Sequence, residues 1–335
     1  MSAQTDNFSH PEFAIEIEGL SKTYKPSGNA EPKVALSNVD LKIPRGSLFG
    51  LLGPNGAGKS TMINIMAGLV IKTAGTVKIW DMDIDTDGRN AKAAIGIVPQ
   101  ELNIDPFFTP REALEIQAGM YGVKKSERQT EEILKTIGLW DKRDSYARTL
   151  SGGMRRRMLI GKAMVHNPPI LVLDEPTAGV DIELRQQLWE NVVELNKRGT
   201  TVLLTTHYLE EAEELCDRIA IINHGQVVAH DEKKRLLGRL DAKTVKLSVK
   251  ESMDRVPDTL KHLDPAISTD MDGLTWLTIS YRPSNINAGD IIQAVNAASL
   301  SILDLTTEET DLEDIFLQLT SSKTGAVDKR DEQAA

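Results

Sequence analysis

The chain has 335 residues, 40% hydrophobic and 26% charged, enough for about two domains with a sizeable core and against global disorder. Its net charge of −10 disfavours broad nucleic-acid binding, and one cysteine, Cys216, excludes an internal disulfide and a four-thiolate metal site. No run reaches the ~18 apolar residues of a membrane-spanning helix and the polar start is unlike a signal peptide, so the chain reads as soluble and cytoplasmic.

Residues 1–12 read as a disordered N-terminus. Alternating strands follow at residues 14–20 and 34–43, joined by the turn-rich residues 26–32. Residues 47–52 form a compact apolar strand ending in a glycine-rich turn, with a helical stretch at 61–69 behind it. Further strands are expected at 95–98, 170–174, 202–206 and 218–222. Helices at 110–120, 126–139 and 151–165 make an inserted helical block over about 101–166. A helical stretch at 208–216 carries Cys216 as a small buried hydrophobe. Asn223-His224-Gly225-Gln226 closes a hairpin, and residues 232–240 form a short helix leading out of the first domain, 13–240.

From Asp241 onward there are 9 Lys and Arg against 17 Asp and Glu, compared with 30 against 32 before it. Strands at 245–249, 266–269, 274–281 and 300–305, with helices at 255–263 and 288–298, predict a βαββαβ accessory domain over 241–320. A helix at 311–319 leads to a polar tail, 321–335. The expected fold class is α/β with a small C-terminal α+β domain.

Gly53-Pro54-Asn55-Gly56-Ala57-Gly58-Lys59-Ser60, followed by Thr61, matches the phosphate-binding P-loop, between a strand and a helix. Its glycines let the backbone curl so that N–H groups face phosphates; Lys59 can reach the β- and γ-phosphates, and Ser60 can ligate Mg2+. Ile170-Leu171-Val172-Leu173 then delivers Asp174 and Glu175 at the carboxyl end of a buried strand, where α/β sheets place ligands. Asp174 suits Mg2+, and Glu175 suits a general base for the attacking water. Together the two motifs make an ATPase or GTPase.

A third element narrows the choice. Leu150-Ser151-Gly152-Gly153-Met154 resembles the LSGGQ signature of ATP-binding-cassette (ABC) ATPases. In that family's order stand Tyr24 as adenine-stacking aromatic, Gln100 as Q-loop, Ala178-Gly179-Val180-Asp181 as D-loop and His207 as switch histidine. The resemblance covers about residues 13–235. It implies a RecA-like core with an antiparallel β subdomain and an inserted helical subdomain. It also implies a head-to-tail homodimer with two ATP molecules between the subunits, each lying on one P-loop under Ser151, Gly152 and Gly153 of the other. His207 then holds the γ-phosphate and keeps Glu175 aligned, Gln100 senses Mg2+ and the water, and Asp181 links the two sites. Met154 departs from the family's glutamine; Ser151 and the glycines remain, so activity is expected to survive.

His166, His224 and His230 read as surface residues, and Arg155, Arg156 and Arg157 as a solvated or salt-bridged helix face. Phe107-Phe108-Thr109-Pro110 places aromatic bulk where transporter cassettes receive a permease's coupling helix, with core packing the equal alternative. The runs 174–181, 191–199, 205–213 and 312–316 look like bacterial exporter ATPases with a separate permease chain, most like the YadG group. That resemblance implies an ATP-hydrolysing subunit on the cytoplasmic face of the inner membrane, held there by integral-membrane permease subunits and without a nucleic-acid partner. The competing reading is a soluble ABC ATPase that remodels a nucleic-acid or ribosomal partner.

Overall fold

A computed structural model describes residues 11–25, 31–177, 182–238, 243–253, 255–270, 273–283, 285–309, 312–313 and 315–316. The expected disordered N-terminus (but for residues 11 and 12), most of the turn at 26–32, the D-loop with Asp181, most of the helix at 311–319 and the polar tail lie outside these residues. The chain divides into two compact units, residues 1–233 and 234–335.

The first unit runs β1 (Phe13–Tyr24), β2 (Lys33–Pro44), β3 (Leu48–Leu52), α1 (Lys59–Met66), β4 (Ala74–Ile79), β5 (Met82–Asp83), α2 (Gly88–Ala93), β6 (Ile95–Val98), α3 (Pro110–Met120), α4 (Thr130–Thr136), α5 (Gly152–Met164), β7 (Ile170–Asp174), α6 (Ile182–Lys197), β8 (Thr201–Thr206), α7 (Leu209–Leu215), β9 (Arg218–Asn223) and β10 (Gln226–Glu232). A sheet in the order β10-β9-β3-β8-β7-β6 forms its centre, parallel except for the edge strand β10. β3, β7 and β8 are buried along their whole length, which is why β3 and the first four residues of β7 read as apolar runs rather than alternating ones, while β8 buries Thr201, Thr205 and Thr206 with its apolar centre. The antiparallel sheet β2-β1-β4-β5 pairs Ile15 with Ile79 and Ile17 with Val77. Those side chains share one core with Phe49, Leu51, Val172 and Leu203 of the parallel sheet. Each such side chain contributes about 1.5–3 kcal/mol on burial. The fold is the RecA-like core, antiparallel subdomain and helical insertion of an ABC ATPase.

The helical block begins with a capping box, Thr109 with Glu112, and Pro110 at the first position of α3. The helix expected at 126–139 is broken into a 3-10 turn at Lys125–Glu127 and α4. Arg128 is extended between them, donating to the Val123 carbonyl and pairing with Glu115 at 2.6 Å, which holds the chain out of the helix. β4, β5, α2 and α6 add to the expected elements. The signal for α6 is the spacing of buried Leu188, Val192 and Leu195.

Two surface expectations are corrected. His166 is half-buried: its ring stacks on Tyr121 at 3.8 Å, its Nε2 lies 3.2 Å from the Ile95 carbonyl, and burial pushes its pKa down. The three arginines of α5 turn onto main-chain carbonyls: Arg155 onto Arg148, Arg156 onto Pro99 and Gln100, and Arg157 onto Ile137 and Gly138.

α8 (Lys233–Gly238) crosses the division. The second unit contains β11 (Lys243–Val249), β12 (Ala266–Thr269), β13 (Thr275–Tyr281), α9 (Ala288–Ala297) and β14 (Ile302–Glu309). Its antiparallel sheet, β12-β13-β11-β14, has the strand order of a split βαβ fold. Val245, Leu247, Leu277, Ile279, Ile291 and Val295 fill its core. The helix expected at 255–263 is a 3-10 helix over Asp258–Leu263, bounded by Pro257 and by Asp264 in the left-handed region. Leu312 and Ile315 are buried.

Cys216 is fully buried at the end of α7, as its sequence context suggests, and burial pushes its thiol far up from the ordinary range. A thiol reagent should therefore modify the native chain about a hundredfold or more slowly than the urea-unfolded chain, since access needs local opening. Equal rates in a thiol titration would contradict the packing.

Candidate functional site

Three strand ends build the site. In register, Leu52 of β3 lies opposite Thr206 of β8, and Asp174 of β7 opposite Thr205. The chain leaves β3 as the P-loop and enters α1 through Gly58, whose φ of +113° suits glycine. Gly58 caps α1 without a side-chain bond, and no acid stands in the first turn, so the helix start keeps its free N–H groups and positive potential for an anion. The loop is braced from the β9–β10 hairpin: the Gly225 N–H donates to the Ala57 carbonyl at 2.9 Å, and the Gly225 carbonyl accepts from the Ser37 N–H at 2.8 Å.

Tyr24, Lys33, Ala35, Asn55, Gly56, Ala57, Gly58, Lys59, Ser60, Thr61, Gln100 and Glu175 line a cleft of about 380 Å³. Tyr24 is partly exposed, with the Lys22 ammonium 4.8 Å from its ring centre. Lys59 is buried; its Nζ donates to the Gly53 carbonyl at 2.7 Å and to that of Pro54 at 3.4 Å.

Glu175 is the meeting point. Its Oε1 lies 3.4 Å from Lys59 Nζ, while its Oε2 accepts from Gln100 Nε2 at 3.1 Å and lies 3.3 Å from His207 Nδ1. Its backbone takes φ +45°, a strained value for a non-glycine residue, of order 1–3 kcal/mol. Thr205 holds it there: the Glu175 N–H donates to the Thr205 carbonyl and to its hydroxyl, both at 3.1 Å. The same hydroxyl donates to Asp174 Oδ1 at 2.6 Å. Asp174 is buried and does not itself line the cleft; among the described residues no side chain bonds its Oδ2, which leaves one carboxylate oxygen for a cation. No cluster of three His, Cys, Asp or Glu occurs among the described residues, so a cation here would depend on phosphate and water oxygens as Mg2+ sites do.

Sequence reasoning missed three supports. Thr205 is one. Buried Glu211 is another: it accepts from the hydroxyls of Thr177 at 2.6 Å and Thr206 at 2.8 Å, and the Tyr208 N–H returns to Thr206 Oγ1 at 2.9 Å, so the chain on both sides of His207 is fixed. Arg156 is the third. By contrast, Ser151, Gly152 and Gly153 do not line the cleft of their own chain. Ser151 caps α5, accepting from the Met154 N–H at 3.3 Å; Ser151 and Gly152 are exposed and Gly153 is buried.

A P-loop on a helix start, with strand-end carboxylates and a fixed glutamine and histidine, defines a P-loop nucleotide hydrolase. Residues 36–178 match the ABC transporter family. The linearmycin resistance ATP-binding protein LnrL of Bacillus subtilis is 34% identical over 312 residues, covering 91% of this chain and 98% of that protein. The daunorubicin/doxorubicin resistance ATP-binding protein DrrA of Streptomyces peucetius is 33% identical and covers 97% of both chains. The Nod factor export ATP-binding protein I of Paraburkholderia xenovorans is 34% identical, covering 92% and 98%. Among solved structures, the dimeric bacterial ABC transporter cassette MJ0796 superposes with a TM-score of 0.58 at 30% identity, covering 65% of this chain and 98% of that one. The chain belongs to the ABC transporter family of ATP-binding subunits, of the exporter type. It is an ABC-type ATPase.

Thr205→Val keeps the shape of the strand and removes the hydroxyl from Asp174 and Glu175. Losing hydrogen bonds to charged or buried groups of this kind costs about 1–3 kcal/mol, so Mg2+-dependent ATPase activity should fall about tenfold or more. Unchanged turnover would mean that β7 alone holds both carboxylates.

Proposed function

We propose that the chain binds ATP in the 380 Å³ cleft and hydrolyses it with Glu175 as general base, as one half of a homodimer that drives a separate membrane permease. The observation that carries this is the convergence of Lys59, Gln100 and His207 on the two oxygens of Glu175. Gly53, Pro54, Asn55, Gly56, Ala57 and Gly58 shape the loop whose amides, with those of Lys59, Ser60 and Thr61, receive the phosphates. Tyr24 receives the adenine face, beside Lys33 and Ala35. Ser60, Asp174 and Gln100 would hold Mg2+, which would supply positive charge against the phosphates.

Lys59 changes partners during the cycle. With the γ-phosphate in reach, its ammonium exchanges Glu175 for phosphate and frees Oε1 to accept a proton from water. Gln100 and His207 meanwhile fix Oε2, so the base does not swing away. The water oxygen attacks the γ-phosphorus, the bond to the ADP oxygen breaks, and the proton rests on Glu175.

The cap at Ser151, with exposed Gly152 and buried Gly153, lies outside the lining of its own P-loop cleft and is suited to covering the ATP of a second copy. The dimeric state of MJ0796 supports that arrangement, with Asp181 proposed to link the two sites. Phe107 is 69% exposed and Phe108 39%, so this aromatic pair is not core although Pro110 behind it is buried, and the pair is proposed to meet the permease at the inner membrane. The 241–320 domain is proposed as accessory to the cassette, and the runs at 205–213 and 312–316 favour the YadG group.

Glu175→Gln should retain ATP binding and lose turnover by about a thousandfold, because an amide cannot accept the proton. With Mg-ATP it should shift from monomer to dimer on sizing. Near-wild-type hydrolysis would remove Glu175 as the base. Purification of the tagged chain should recover a multi-span protein from detergent-solubilised membranes; recovery only with ribosomes or nucleic acid would overturn the permease.

A further inference from the structure

Arg156 is 4% exposed, in the middle of a run whose composition suggests a wet helix face. Its Nη1 donates to the Pro99 carbonyl at 3.1 Å and to the Gln100 carbonyl at 2.7 Å. Its Nε has no partner, and no carboxylate pairs with it among the described residues. A buried cation needs compensation, so the position of this charge depends on those two carbonyls. The Gln100 side chain, on the same residue, bonds Glu175 Oε2 at 3.1 Å. At the start of the same helix α5, Ser151 forms the exposed cap. One guanidinium therefore joins the residue that touches the base of its own cleft to the helix that presents Ser151.

We infer that Arg156 is a positioning residue that couples the two nucleotide sites: the setting of Gln100 in one cleft fixes where Ser151 lies over the ATP held by the partner. This rests on the proposed dimer. A shift of Gln100 toward Mg-ATP moves its carbonyl, Arg156 follows because its charge has no other compensation, and α5 turns with it. Such coupling is a reciprocal free energy, so closure of the dimer equally steadies Gln100 against Glu175. Arg155 and Arg157 do not share this role, since their carbonyls belong to the helical block itself.

The test uses the full chain with Glu175→Gln, alone and combined with Arg156→Met, which fills the space without donors, or Arg156→Lys, which keeps them. ATP binding is read with a fluorescent ATP analogue and dimer formation by sedimentation. The Met variant should bind nucleotide within about twofold yet need about tenfold more protein to dimerise, and Lys should recover most of that loss. If the Met variant does not fold, Arg156→Gln, which lacks the charge and is too short to reach both carbonyls as the guanidinium does, carries the same expectation. Dimerisation of the Met variant at the parent's concentration, or loss of nucleotide binding itself, would overturn the inference. Failure of the parent, with Arg156 intact, to dimerise is a separate result that removes the dimer and this coupling together.

Discussion

Three parallel strands that end level determine everything the first unit can do. Because β3, β7 and β8 run in register, the P-loop, the Asp174-Glu175 pair and the Thr205-Thr206-His207 segment emerge side by side. A slip of one residue in a buried strand would turn every side chain to the opposite face. The register is defended by strands buried along their whole length, so the precision of a polar site is maintained by apolar packing behind it.

On that frame, polar contacts divide into those that hold and those that exchange. Thr205 and Glu211 hold: each is buried and satisfied within the protein, and each fixes a segment entering the cleft. Lys59 is the one proposed to exchange: its partners are two carbonyls and one carboxylate at 2.7 to 3.4 Å, an arrangement a phosphate can replace. The strain at Glu175 belongs to the first group, since the bonds from Thr205 over-determine it.

What was legible in the sequence followed from how local each signal was. The P-loop, the apolar strand before Asp174 and the His224-Gly225 turn carry their chemistry within a few residues, and each fell where expected. Arg156 was misread because its partners are 56 and 57 residues away, and an Arg run gives no sign of which member is buried. The same holds for Glu211, which answers to Thr177 from 34 residues upstream. β4 lies between β1 and β5 in the sheet, and its partner Ile15 is far from Ile79 in the chain, whereas α6 carries an ordinary helical spacing in Leu188, Val192 and Leu195.

The hairpin turn has a genetic consequence. Gly225 belongs to none of the ATPase motifs, so a comparison of motifs would score a change there as silent. Yet it has φ +74°, and a Cβ on it would lie 2.6 Å from the Ala35 carbonyl, wedging apart β2 and the loop it braces. An allele with alanine at this position should arise among inactive isolates with every signature residue intact, its defect lying in the curvature of the phosphate cradle rather than in any group that meets the phosphate.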